Sequence, residues 1–223
     1  MTAVARYVGN IDWKRYGKEL LYSLYTMRRP LDGFWDLVHE KRGSMAAAHT
    51  LVALAFIVNL MWIVLTSFQF IPVNMETFNA WWVLGFNVIP IILFSVANWC
   101  LTTLFDGKGK LSHIYMGYAY TLAPQIIIGI IQIPLSHIIT FNEGAIFWML
   151  SSISYFWFLL LLMCAMKEIH DYSFSKAILT SILSLAVISI MVFIFVMFFA
   201  VVSDGIAFFV SLGQEAMLRI QRG

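Results

Sequence analysis

Two sets of side chains in this sequence are of types that do chemistry. The first is His39-Glu40, His113 and His170-Asp171, which stand at the ends of apolar segments. Imidazoles and carboxylates that converge can hold a metal ion or move a proton. Here they lie far apart along the chain. No nucleophile stands beside a base and an orienting group, and there is no His-Glu-x-x-His helix and no phosphate-cradling loop. The sequence is therefore read as non-enzymatic, with no metal and no cofactor. The turn Asp106-Gly107-Lys108-Gly109-Lys110 resembles the opening of a calcium loop, but the further acidic ligands are missing. Its lysines are better suited to setting topology, or to contacting lipid phosphates or an acidic partner. Its two glycines permit positive φ and a tight reversal.

The second set is uncharged and lies inside apolar runs. Asn87 and Asn98 are eleven residues apart, close to three helical turns, and share a face with Ile91 and Phe94. Tyr118, Thr121, Gln125, Gln132 and Ser136 form a stripe at helical spacing, and Ser151, Ser152, Ser154 and Tyr155 follow. Polar groups in lipid are costly, so these either hydrogen-bond between helices or line a polar path for a small solute, placed between the second and third spans. Apart from residues near the ends, no ionisable side chain interrupts the spans. Proton-coupled carriers and voltage sensors usually need one at mid-membrane.

The elements that position these residues are membrane spans. The chain has 223 residues, 61% hydrophobic and 12% charged, about half the charged share of a soluble domain. Five apolar runs, at 45–66, 83–104, 115–136, 146–166 and 177–202, are long enough to cross a ~30 Å hydrocarbon core. The expected fold is an all-α five-helix transmembrane bundle with amphipathic interfacial helices at both ends. Pro90 and Pro124 remove a backbone donor inside the second and third spans and should kink both. Cys100 and Cys164 lie in apolar runs and read as buried thiols.

The N-terminal arm, residues 1–44, carries two amphipathic stretches. Trp13, Tyr16, Leu20, Leu24 and Met27 share one helical face, and Arg28-Arg29-Pro30 ends that helix. Leu31, Phe34, Trp35 and Val38 are the apolar side of the second. Trp13, Phe34 and Trp35 are candidate contacts to lipid headgroups, the alternative being an arm that packs on a partner. No signal-peptide pattern precedes the first span, which is expected to double as the targeting signal. Twelve of the fourteen Lys and Arg fall on one side of a five-span layout, eight of them before the first span. The positive-inside rule then places the N-terminus in the cytoplasm and the C-terminus outside. Residues 45–203 form the membrane domain. The tail, 204–223, has Ile206, Phe209, Gly213, Met217 and Ile220 on one face. It reads as a separate amphipathic helix on the outer surface, or as a re-entrant segment.

Pro30-x-Asp32-Gly33-Phe34-Trp35-Asp36-Leu37, Glu40-Lys41-Arg42-Gly43-Ser44, Asn98-Trp99, Asp106-Gly107-x-Gly109 and Tyr120-x-x-x-Pro124, in that order over five spans, resemble the bacterial branch of the Yip family, the Ypt/Rab-interacting-protein-like membrane proteins. The resemblance covers about residues 28–202. It implies a five-span bundle with a cytosolic N-terminus. Eukaryotic relatives bind Rab-type GTPases and one another through a longer arm with an Asp-Leu-Tyr-Gly-Pro-like motif. In this chain Asp36-Leu37 is followed by Val38-His39. The resemblance therefore implies an architecture and a habit of pairing with other membrane proteins, and no reaction. The leading expectation is an accessory or scaffold subunit of a multi-subunit membrane assembly such as a bacterial transport complex, in the cytoplasmic membrane. Its partners would be lipids and other integral membrane subunits (a transporter permease among them) or a second copy. The alternatives are a small transporter or channel, and a membrane-shaping or trafficking factor.

Overall fold

The computed structural model describes residues 13–222 apart from Met75 and Thr77; the first twelve residues of the arm, and the side chains of residues 215, 216 and 218–222, lie outside that description. Among the described residues there are eight α-helices in chain order: α1 (Trp13–Arg28), α2 (Pro30–His39), α3 (Met45–Leu65), α4 (Ala80–Leu104), α5 (Leu111–Thr121), α6 (Ala123–Ile138), α7 (Gly144–His170) and α8 (Phe174–Arg222). A single 3-10 turn, Phe141–Glu143, precedes α7. Five segments are long and apolar enough to cross a membrane: α3, α4, the α5–α6 pair, α7 with its preceding turn, and α8. The chain is an all-helical integral membrane fold.

Local chemistry sets the helix ends. Pro30 opens α2, where its missing N–H costs nothing. Ser44 Oγ accepts from Ala47 N–H at 3.2 Å and caps α3, and Asn79 Oδ1 accepts from Trp81 N–H at 2.9 Å and caps α4. Asp171, in the left-handed conformation at φ 57°, ends α7.

The two prolines act differently from one another. At Pro124 the third span is interrupted: α5 ends at Thr121, and Pro124 sits in the first turn of α6. Proline is favoured there and disfavoured further along a helix. α4 continues through Pro90, and α6 continues through Pro134.

The arm departs from both sequence expectations. Phe34 and Leu37 of α2 are fully buried in the common core with Ala47, Leu51, Ile114, Tyr120 and Ile169. Tyr120 Oη donates to Glu19 O at 2.9 Å, and Tyr16 Oη and Thr50 Oγ1 share a hydrogen bond. The arm therefore packs on its own bundle. Phe34 is unavailable to lipid or to a partner, because the α1–α2 hairpin aims its apolar face inward.

The tail also differs. α8 is one unbroken helix of 49 residues that passes through Asp204-Gly205. Neither residue forbids a helix; one mid-helix glycine costs only about 1 kcal/mol. At 1.5 Å per residue α8 is about 73 Å long, more than twice the hydrocarbon thickness.

Candidate functional site

The basic turn is built around His170. This last residue of α7 is buried, as is Asn98 on α4. Gly109 N–H donates to His170 Nδ1 at 3.3 Å, so Nδ1 bears the lone pair. The proton then resides on Nε2, which donates to Asn98 Oδ1 at 2.9 Å. Asn98 Nδ2 donates to Ser184 Oγ at 3.0 Å, and that hydroxyl donates to Thr180 O at 2.8 Å. One chain of hydrogen bonds thus joins the turn, α7, α4 and α8, and it is satisfied by a neutral imidazole. Its place in the fold is that of a structural clamp at the basic end of the bundle.

The turn glycines serve close approach rather than handedness. Neither has positive φ; Asp106 takes the left-handed position instead, at φ 57°. A Cβ on Gly107 would meet His170 Nδ1 and Thr102 Cβ at 2.7 Å, and one on Gly109 would meet Ile169 Cγ2 at 2.6 Å. The positive φ that glycine permits is not used; these glycines make room for the imidazole. Lys108 Nζ pairs with Asp171 at 2.7 Å, and this hydrogen bond holds the exposed carboxyl below the usual aspartate range. Lys110 is exposed at the start of α5.

A second polar feature lies deeper. A half-enclosed cavity of about 360 Å³ is lined by Asn59 and Trp62 of α3, Asn87 of α4, Gln125 and Gln132 of α6, and Trp148, Ser151, Ser154 and Tyr155 of α7, among others. Gln132 Nε2 donates to Phe147 O at 2.8 Å and Ser151 Oγ at 2.7 Å, and Asn87 Nδ2 donates to Val83 O at 2.9 Å. The amides of Asn59 and Gln125 take no protein partner among the described residues. Trp62 Nε1–H is buried with no acceptor. Among the described residues no charged side chain lines this cavity.

A family model for the Yip1 domain matches residues 24–211, most of the chain, and covers the clamp, the cavity and the described arm from mid-α1 onward. The chain belongs to the Yip1 domain family. Comparison with curated proteins and with solved structures returned no match. In this Yip1 domain the matched region takes in α2 and runs past residue 203 into the distal part of α8.

The Yip1 domain distributes the residues singled out from sequence among three places. Asn98 joins the clamp. Asn87, Gln125 and Gln132 all line the cavity, which draws on the first, third and fourth spans and, through Asn87, on the second. Thr121 is buried and donates to Tyr118 O at 2.6 Å, away from the cavity lining. The remaining aromatic candidates, Trp13 and Trp35, are exposed, and Trp35 stacks on His39 at 4.6 Å. His39 lies within electrostatic reach of His113 and Asp171, but among the described residues no three His, Cys, Asp or Glu side chains form a metal site. Cys164 is buried as expected, whereas Cys100 is exposed on the bundle surface. Asn59 and Trp62 were missed. Their signal was an amide within an apolar span, one turn from an indole and therefore on its face.

Proposed function

We propose that this Yip1 domain protein is a non-enzymatic subunit of a larger membrane assembly, joined to another integral membrane protein through α8. The observation that carries this reading is the mismatch between α8 and a bilayer. The apolar stretch Phe174–Gln214 is 41 residues, about 62 Å as a helix, with mean hydropathy 3.1 over its best window. Only its first part packs on the bundle. Beyond Ile188 no described residue is buried, and Phe193, Phe195, Phe198, Phe208 and Phe209 are all exposed. A straight helix of this length carries apolar side chains beyond the lipid, where water or a protein must meet them. Tilt absorbs part of the excess; a second protein's helix covers the rest. The clustered lysines favour a cytoplasmic location for the turn at residues 106–110, in the cytoplasmic membrane of a bacterium.

The test is site-specific photo-crosslinking in native membranes, with the reactive residue placed in turn at Phe193, Phe195, Phe198, Val202 and Phe209. The expected result is one membrane protein captured in fixed ratio, from positions recurring every three or four residues, and absent from Ile57 or Met61 on α3. Adducts only to lipid from every position would overturn the reading.

A further inference from the structure

The polar cavity does not end in protein. Along the same seam, a second cavity of about 480 Å³ is lined almost wholly by apolar side chains, among them Pro90 and Phe94 of α4, Phe158, Leu159 and Met163 of α7, and Ile188 of α8. Tyr118 and Ser181 are its only hydroxyl-bearing lining residues. The two cavities are lined by successive turns of the same two helices. Asn87 and Pro90 are one turn apart on α4, as are Tyr155 and Phe158 on α7, so each step along the seam is about 4.5 Å. The seam exists because α4 and α7 pack on shared neighbours, α5 and α8, rather than against each other. Its rim, with Trp148, Tyr155 and Leu159 exposed, opens to the hydrocarbon.

We infer that the α4–α7 seam binds an uncharged amphiphile, whose hydroxyl- or amide-bearing head occupies the polar cavity and whose hydrocarbon chain lies in the apolar groove. Three observations set the class of ligand. The head cavity presents the amides of Asn59 and Gln125 without protein partners among the described residues, and in lipid such groups cost several kcal/mol each unless something bonds them. Among the described residues neither cavity is lined by Lys, Arg, His, Asp or Glu, so a phosphate or carboxylate head would be desolvated with nothing to pair it. The head cavity also lies toward the ends of α3 and α4 remote from the basic turn, with the groove nearer mid-span. That is the orientation of a lipid in the leaflet opposite the lysines. The site goes beyond the subunit reading and is independent of α8's partner, since α8 reaches the groove only through its packed first half.

The experiment uses the full chain in liposomes with a monoacylglycerol bearing a photoreactive diazirine in its acyl chain, and maps adducts by mass spectrometry. Labelling is expected at Leu93, Phe158, Leu159 and Met163, displaced by unlabelled monoacylglycerol. An anionic fatty acid or lysophosphatidate should need at least about tenfold more. Replacing Asn59→Leu and Gln125→Leu removes no protein hydrogen bond and should weaken displacement about tenfold. Leu159→Trp, at a lipid-exposed position, should abolish labelling in the groove and leave labelling at Phe195 unchanged. The inference is overturned by uniform labelling that no competitor displaces, by equal displacement with the anionic lipids, or by displacement that the amide variants leave unaltered, which would mean the cavity holds water alone. It is equally overturned if a photoreactive residue at Leu159 captures a protein helix instead of lipid.

Discussion

Asn98 is the residue on which the basic end of the bundle turns. Its amide accepts from His170 and donates to Ser184, tying α4 to both α7 and α8. Removing it orphans the His170 Nε2–H and removes the donor to Ser184 in a site closed to water, and such losses cost about 1–3 kcal/mol. Membrane double-mutant cycles set the lower figure for a single interhelical bond, near 0.6 kcal/mol. Asn98→Leu is therefore expected to destabilise the purified protein by about 1–2 kcal/mol in detergent unfolding, whereas Asn87→Leu, whose one bond runs to its own helix, should change it far less. Equal effects would mean that the clamp contributes nothing beyond helix propensity. Lys108 and Asp171 add little here, because exposed ion pairs are worth at most a fraction of a kcal/mol.

At the scale of elements, α2 is the piece whose role changes most once packing is known. Thr26 on α1 faces Gly33 on α2, where an added Cβ would lie 2.9 Å from the Thr26 Cα, so the two helices close as a tight hairpin. That hairpin turns Phe34 and Leu37 onto α7 and leaves Trp35 outward. Truncating a buried phenylalanine removes its transfer free energy and leaves a cavity, together about 3–5 kcal/mol. Phe34→Ala should accordingly release the arm: hydrogen exchange in α1 and α2 should rise markedly while α3 to α7 stay protected. Trp35→Ala, at an exposed site, should leave the arm protected. If both behave alike, the arm is held by its polar contacts, such as Tyr120 to Glu19, rather than by Phe34.

For the whole molecule, bundle and projecting helix separate cleanly. Among the described residues, the core and the side chains packed against it run from Tyr16 to Ile188. Deleting residues 192–223 leaves α8 with 18 residues, about 27 Å, roughly the length of a span. The truncated protein should keep the thermal unfolding midpoint of the full chain within a few degrees and lose its crosslinked partner. A truncated chain that unfolds or aggregates would show that the distal helix serves the bundle itself.

Much of this protein is legible from residue type and order. Five spans follow from apolar run length, because a hydrocarbon core demands it. The amphipathic arm follows from helical periodicity, and the break near Pro124 from a missing backbone donor. These are local rules, readable within a window of twenty residues. What the tertiary structure alone decided is which faces meet. Periodicity showed that Phe34 and Trp35 lie at the apolar edge of a helix, but only the fold of the hairpin buries one and exposes the other. Spacing put Asn87 and Asn98 on one face of a span, yet packing sends Asn98 to a histidine 72 residues further along the chain and Asn87 to a cavity shared with three other helices. A helix presents the same polar atom to whichever neighbour comes within about 3 Å, and that neighbour is set by contacts far away in sequence.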